Sequence, residues 1–519
     1  MRRFKTQLLV VLARLYIVTS QSCPDYSTYS KTRHEPFSPG RYALSSARPP
    51  PSCRTFNSSA LESLLSSFSA NITDPDLLRL FQNTYPNTLD TAIKWHGFSS
   101  ANPSEEELTF IITGDINAMW LRDSANQLQS YLPLLTPSSS PNSLASLFRG
   151  AINLHARYLL TSPFCNSFQP PPESGLAPSP NPASDSDVVF PPYDPDKVFE
   201  CKYELDSLAS FLQLSTEYHE ATHDSGFFGK FSWVEAVKAV LATARSMTTP
   251  TYSPLDGKPL DSPYTFTRKT TRSTETLPND GLGHPVAAGT GLIRSAFRPS
   301  DDSTTYQFLI PSNMLFCRYL ASASLIATAI NQTTLAGEMM EFSASLRQAI
   351  QTHGVASVPG DNGTVERVYA YEVDGFGSSL LQDDANLPSL LSAPLMGYLA
   401  PTDPVYLATR KRVLSIKNPY YAAGGVIRGV GSAHTGPGRV WPMSLIVQIL
   451  TSDDDEEIRG AIKQILGSTD GLGLVHEGVD GWDGSRWTRE WFGWANGLFG
   501  GMMIDVMRRK EGLLRESFQ

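Results

Sequence analysis

A chain of 519 residues that carries a net charge of −9, with only 18% charged residues, lacks the basic surface a polyanion needs, so nucleic acid is not expected as a partner. The length suffices for one large core or for two to three ordinary domains. Five cysteines without a CxxC spacing give no support for a zinc site or for thioredoxin-like chemistry.

The N-terminus places Arg2, Arg3 and Lys5 before the apolar run from Leu8 to Val18 and small residues near Ser20, the layout of a signal peptide or short signal anchor over 1–20, although Arg14 interrupts the run. Residues 21–51 are Pro/Ser-rich without period and read as a mobile leader. Sequons at Asn57, Asn71, Asn331 and Asn362 agree with a secreted protein or one of the secretory lumen. From 52 to 515 apolar residues recur with helical period. The pattern predicts helices over 59–69, 75–84, 118–135, 142–161, 203–221, 232–247, 311–330, 335–352, 386–399, 403–414, 440–451, 455–466 and 488–509. About a dozen helices with few strands predict an all-α fold in one large domain, with an (α/α)6 barrel of six helical hairpins as the leading architecture. The segment 167–195 is too rich in Pro and Ser to pack and reads as a surface insertion without a catalytic part; Cys165 and Cys201 flank it and are placed to tie its base.

Three segments combine carboxylates with aromatics. In TGDINAMWLRDSANQ, Asp115 is a candidate helix cap and Arg122 with Asp123 an ordinary ion pair. Alternatively Trp120 offers a ring face to a sugar while Asp115, Arg122 and Asp123 hold its hydroxyls through charge-assisted hydrogen bonds. KYELDSL puts Glu204 and Asp206 at a helix start, where the dipole favours carboxylates, and periodicity does not choose between them. The C-terminal run GLVHEGVDGW, followed by WTREWFGWANGLF, puts Glu477 in a Gly-bounded loop and Thr488 where it would cap the next helix, leaving Arg489 and Glu490 nearby. Loops around Arg298, Asp302 and His434 add polar groups; His434 has no second His or Cys at ligand spacing, so no metal is expected.

TGDINAMWLRDSANQ, CKYELDS, SAFRPSDD, IPSNM, HTGPGRVWPM, VHEG and TREWFGWANGLF stand in this order from 113 to 499, and together they resemble glycoside hydrolase family 125. The resemblance implies an (α/α)6 barrel that removes non-reducing terminal α-1,6-linked mannose with inversion and without metal or other cofactor. It implies Asp206 of the YELDS segment as general acid and Glu477 as general base, with Glu490 as the rival base. Asp115, Trp120, Arg122, Asp123, Arg298, Asp302, His434, Arg489 and Glu490 would then surround the terminal mannose. The expected partner is a mannose-containing glycan, of N-glycan or cell-wall mannan type, bound by a monomer. Other readings are a different reaction on the same barrel and a non-catalytic mannan-binding protein.

Overall fold

The computed structural model describes residues 23–360 and 363–519; the expected signal segment and the sequon at Asn362 lie outside the described residues. Twelve helices of nine residues or more form among the described residues: α1 (Ser59–Ser69), α2 (Pro75–Thr84), α3 (Leu121–Gln129), α4 (Leu144–Thr161), α5 (Leu205–Thr222), α6 (Trp233–Ser246), α7 (Ile310–Ala329), α8 (Thr333–His353), α9 (Pro404–Val413), α10 (Pro442–Leu450), α11 (Asp455–Gly467) and α12 (Gly493–Lys510). Among these, α3, α5, α7, α10 and α12 are almost wholly buried and form the inner wall. Helix α3 packs on α5, α5 on α7, α10 on α12, and α12 back on α3, while α8, α11 and α2 lie outside α7, α10 and α12. This is the (α/α)6 barrel.

The helices begin in more than one way, and the outer α6 and α8 have no side-chain cap. Outer helices α2, α4, α9 and α11 start on a side-chain cap, from Asp74, Ser143, Asp403 and Asp454. The five inner helices start without one. Each instead follows a strand of two or three residues, so backbone pairing rather than a cap fixes where it begins. One three-stranded sheet, Met119–Trp120 with Ser167–Phe168 and Val198–Glu200, ties the approach to α3 to that of α5; another, Arg439–Val440 with Gly478–Asp480 and Trp487–Thr488, ties α10 to α12. The inner N-termini therefore gather at one end, where their dipoles favour negative charge.

The sixth inner position is not a helix, which corrects the expectation for 386–399. Pro388 and Pro394 remove donors, and Asp383 takes the N–H groups of Leu390 and Leu391 at 2.8 and 2.9 Å, so this segment closes the wall as a chain of turns. The last helix begins at Gly493 rather than 488. Thr488 belongs to a strand, its hydroxyl accepting the Gly478 N–H at 3.1 Å, and does not cap α12. Asp115 caps nothing either, since the cap position of α3 is Trp120.

Two segments expected to lie loose are packed. Residues 23–51 form a strap over the barrel: Tyr26, Leu44 and Ala47 join the core, the Tyr26 hydroxyl donates to the Ala47 carbonyl at 2.7 Å, and its ring meets Trp491 at 4.6 Å. These anchors have no period, so only their burial reveals them. A Cys23–Cys53 disulfide closes the strap and Cys165–Cys201 closes the base of the insertion, while Cys317 is buried and free. Within the insertion, Val188–Phe190 pairs with Thr265–Thr267, and Arg268 grips Asp187 with two hydrogen bonds of 2.7 Å. Cys23→Ser is expected to cost about 2–4 kcal/mol through the freed 30-residue loop, read as a lower midpoint of thermal unfolding than wild type. Among the described residues no helix is long and apolar enough to cross a membrane.

Candidate active site

The inner N-termini surround a cavity of about 360 Å³. Ile116, Trp120 and Phe199, part of a small apolar cluster separate from the main core, form one face, and Trp441, Phe492 and Trp494 another. Arg122, Asp123, Asp301, His434, Glu477 and Arg489 line the same space. Ring faces for C–H groups beside donors and acceptors for hydroxyls make a surface suited to a sugar.

Glu477 precedes the strand Gly478–Asp480, and its N–H donates to the Thr488 carbonyl at 3.1 Å, which fixes its backbone at the edge of that sheet. Its Oε1 lies 3.5 Å from Arg489 Nη1. Arg489 has a φ of +45°, a costly conformation for a residue with a Cβ. What holds it there is visible. Asp115 accepts from both Nε and Nη2, the Thr113 hydroxyl accepts at 3.2 Å, and the guanidinium lies over the Phe492 ring at 4.5 Å. The strain thus places a fork of donors beside Glu477.

On the other side, Arg122 reaches Asp123, Glu204 and Asp206, with Asp206 Oδ2 at 3.2 Å from Nη1. Asp206 also accepts from the Ser312 hydroxyl at 3.2 Å and is fully buried, one layer behind the cavity wall. Burial pushes its carboxyl up, against the pull of Arg122. Burial raises Glu204 much further, with Asp301 and Asp206 adding to the rise. Asp301 is the member of this group that reaches the wall. It sits at the tip of a tight turn, with φ of +65°, a region Asp tolerates better than most residues, and there it accepts from Asn166 at 2.9 Å and from the Trp120 indole at 3.2 Å. Burial would raise Asp301, but Arg122, Lys202 and a hydrogen bond from Glu204 hold it below the usual range. The two carboxylates are thus pushed apart, Glu204 toward holding a proton and Asp301 toward ionisation.

His434 lies 3.5 Å from Asp302. Burial would lower its imidazole, but the hydrogen bond and charge of Asp302, with help from Glu477 and Asp301, raise it to about 9. The folded value exceeds the ordinary 6.5, so the pair stabilises the fold fully below pH 6.5 and this contribution is lost as pH rises through about 9. The same loss of a cation in the cavity is expected to give kcat/KM an alkaline limb near pH 9. A pH profile of His434→Gln should lack that limb; its persistence would assign it elsewhere.

Of the residues named from sequence, Trp120, Arg122, Asp123, His434, Arg489 and Glu477 line the cavity. Asp115, Asp302 and Arg298 stand one layer back, holding Arg489, His434 and, through a 2.6 Å hydrogen bond from Arg298, Glu372. Glu490 turns away to Lys31 of the strap, at 3.5 Å, and is off the wall. Sequence reasoning missed Asp301, Trp441 and Phe492 as wall residues and treated Asn181 as part of an inert loop, whereas Asn181 lines the cavity. Asp301 stood in the quoted SAFRPSDD motif; what selects it over Asp302 is the turn, which aims the two adjacent carboxylates apart.

Among the described residues no group of three or more His, Cys, Asp or Glu side chains is placed to hold a metal ion. Residues 74–504 match the family model of metal-independent alpha-mannosidases, glycoside hydrolase family 125. The meiotically up-regulated gene 157 protein of Schizosaccharomyces pombe is 47% identical over 498 residues, covering 96% of this chain and 95% of that one. A metal-independent alpha-mannosidase of Streptococcus pneumoniae, solved in a non-productive complex with α-1,6-mannobiose, superposes with a TM-score of 0.75 at 31% identity, over 88% of this chain and 99% of that one. Family match, barrel and sugar-suited cavity agree, and the chain belongs to the metal-independent alpha-mannosidases of glycoside hydrolase family 125.

Proposed function

We propose that the chain removes a terminal α-1,6-linked mannose from the non-reducing end of a glycan with inversion, using Glu477 as general base and Asp301 as the group that hands over the proton. The observation that carries this is the two carboxylates that line the cavity, Glu477 beside Arg489 and Asp301 beside Glu204, whose carboxyl is raised by burial. The linkage is that of the disaccharide bound by the Streptococcus pneumoniae relative. A water held by Glu477 attacks the anomeric carbon and gives its proton to that carboxylate. As the glycosidic bond breaks, the single proton of the Glu204–Asp301 pair passes from Glu204 to Asp301 and on to the leaving oxygen, leaving both carboxylates ionised. Trp120 stacks on a ring, while Arg122, Asp123, Arg489 and the His434 cation hold hydroxyls.

Asp206 keeps a supporting part in this reading. It and Glu204 fix Arg122 from behind, and a side chain with no exposed surface does not reach a glycosidic oxygen. Arg298, Asp302, Asp115 and Glu490 likewise act through neighbours. The exposed sequons at Asn57 and Asn331 and the two disulfides support secretion or residence in the secretory lumen, after removal or anchoring of segment 1–20, and the enzyme acts as a monomer.

The test is a panel of α-1,6-, α-1,2- and α-1,3-mannobiose with excess chelator. Release of mannose from the α-1,6 substrate alone, unchanged by chelator, is expected. Cleavage of another linkage instead would refute the specificity, and binding without turnover by folded protein would favour a mannan-binding role.

A further inference from the structure

The cavity is lined by a second group of residues to which the reading above gives no part. This half of the lining is formed by Phe199, Glu200 and Lys202 on the approach to α5, by Arg268 and Glu275, and by Asn181 of the Pro/Ser-rich insertion. The insertion is fixed to the rim at several points. Ser179 exchanges hydrogen bonds with Gln169, its N–H donating to Oε1 at 2.8 Å and its carbonyl accepting from Nε2 at 2.9 Å; it also accepts from Asn117 at 2.8 Å. Arg268 binds Asp187 and Glu200, and the strand pairing at 188–190 completes the attachment. Asn181 donates from its amide nitrogen to the Phe199 carbonyl at 3.0 Å, which orients the amide with its oxygen free to accept from a ligand. A loop held this firmly with an amide facing the cavity is a wall and not a tolerated extension.

Resting on the reading that Asp301 delivers the proton, and so marks the bond to be cut, we infer that this half is a leaving-group site. The insertion makes the enzyme select an α-1,6-linked oligomannoside with at least two sugars beyond the bond over a disaccharide. The charges here are already paired, Arg268 with Asp187 and Glu200, Lys202 with Glu200 at 3.5 Å and Glu275 with Arg272 at 3.0 Å, which suits neutral hydroxyls and not a phosphate. Phe199 meets Trp120 edge-on at 5.5 Å, so a ring on the leaving-group side would have an aromatic neighbour next to the one proposed for the terminal mannose.

The experiment compares kcat/KM of the full protein on α-1,6-mannobiose, mannotriose and mannotetraose. A rise of about tenfold or more from the dimer to the longer substrates is expected, the worth of one or two added hydrogen bonds. Asn181→Ala should reduce that ratio by about threefold to tenfold with an unchanged midpoint of thermal unfolding. Equal values for all three lengths in the wild type would overturn the inference while leaving the α-1,6-mannosidase reading intact, as would an Asn181→Ala protein that keeps the full ratio. Failure to cleave any of the three would overturn both.

Discussion

Glu477→Gln is expected to lower kcat on an α-1,6-mannoside by about 10²- to 10⁴-fold, the usual worth of a positioned general base, with KM changed little. The amide keeps the size of the side chain and its place at the edge of the sheet, so the loss reads the chemistry and not the packing. Glu490→Gln is the control. Its carboxylate faces Lys31 of the strap, so the expected effect is on thermal stability, with turnover close to wild type. If the two variants exchanged behaviours, Glu490 would be the base and the position of the strap would need another explanation. Both are read from initial rates and unfolding midpoints on the same samples.

Asp301→Asn should be as damaging, by about 10²- to 10⁴-fold, on substrates whose leaving group is a sugar. The loss should shrink on an aryl mannoside, whose phenolate leaves without a proton. Asn tolerates a positive φ as Asp does, so the turn at +65° is kept and the variant tests proton delivery. Asp206→Asn, by contrast, removes one charge from behind Arg122 and should lower activity only about tenfold, the worth of a charge-assisted hydrogen bond. An Asp206→Asn enzyme inactive on sugar leaving groups but active on the aryl mannoside would restore Asp206 as the acid. That pattern, and not the size of the loss alone, distinguishes a donor from a support.

Much of the barrel is readable from apolar period. Helices over 59–69 and 75–84 fall where the pattern puts them, because Ser58 and Asp74 cap them and their buried faces repeat every turn. Period misleads at 386–399, where apolar residues are buried without a helix because two prolines and the Asp383 carboxylate replace helical hydrogen bonds. It is silent for the strap, whose anchors Tyr26, Leu44 and Ala47 follow the barrel surface and no repeat of their own. At the site, the motifs gather the segments that line the cavity but do not show which of their side chains face it. Asp301 and Asp302 are neighbours in sequence, yet one faces the cavity and the other binds His434, a difference set by a single left-handed residue. Likewise Glu477 and Glu490 are separated in place by a strand, the first lining the cavity while the second meets Lys31. Composition marks 167–195 as unlike the barrel; it does not show that Ser179, Asn181 and Asp187 fasten that segment to the cavity rim.

The anomer first released from α-1,6-mannobiose tests the central claim most directly, followed by proton NMR faster than mutarotation. A water on Glu477 attacking opposite the bond that breaks at Asp301 predicts β-mannose as the initial product, which then relaxes to the equilibrium mixture. Initial release of α-mannose would require a covalent intermediate and would contradict the single displacement.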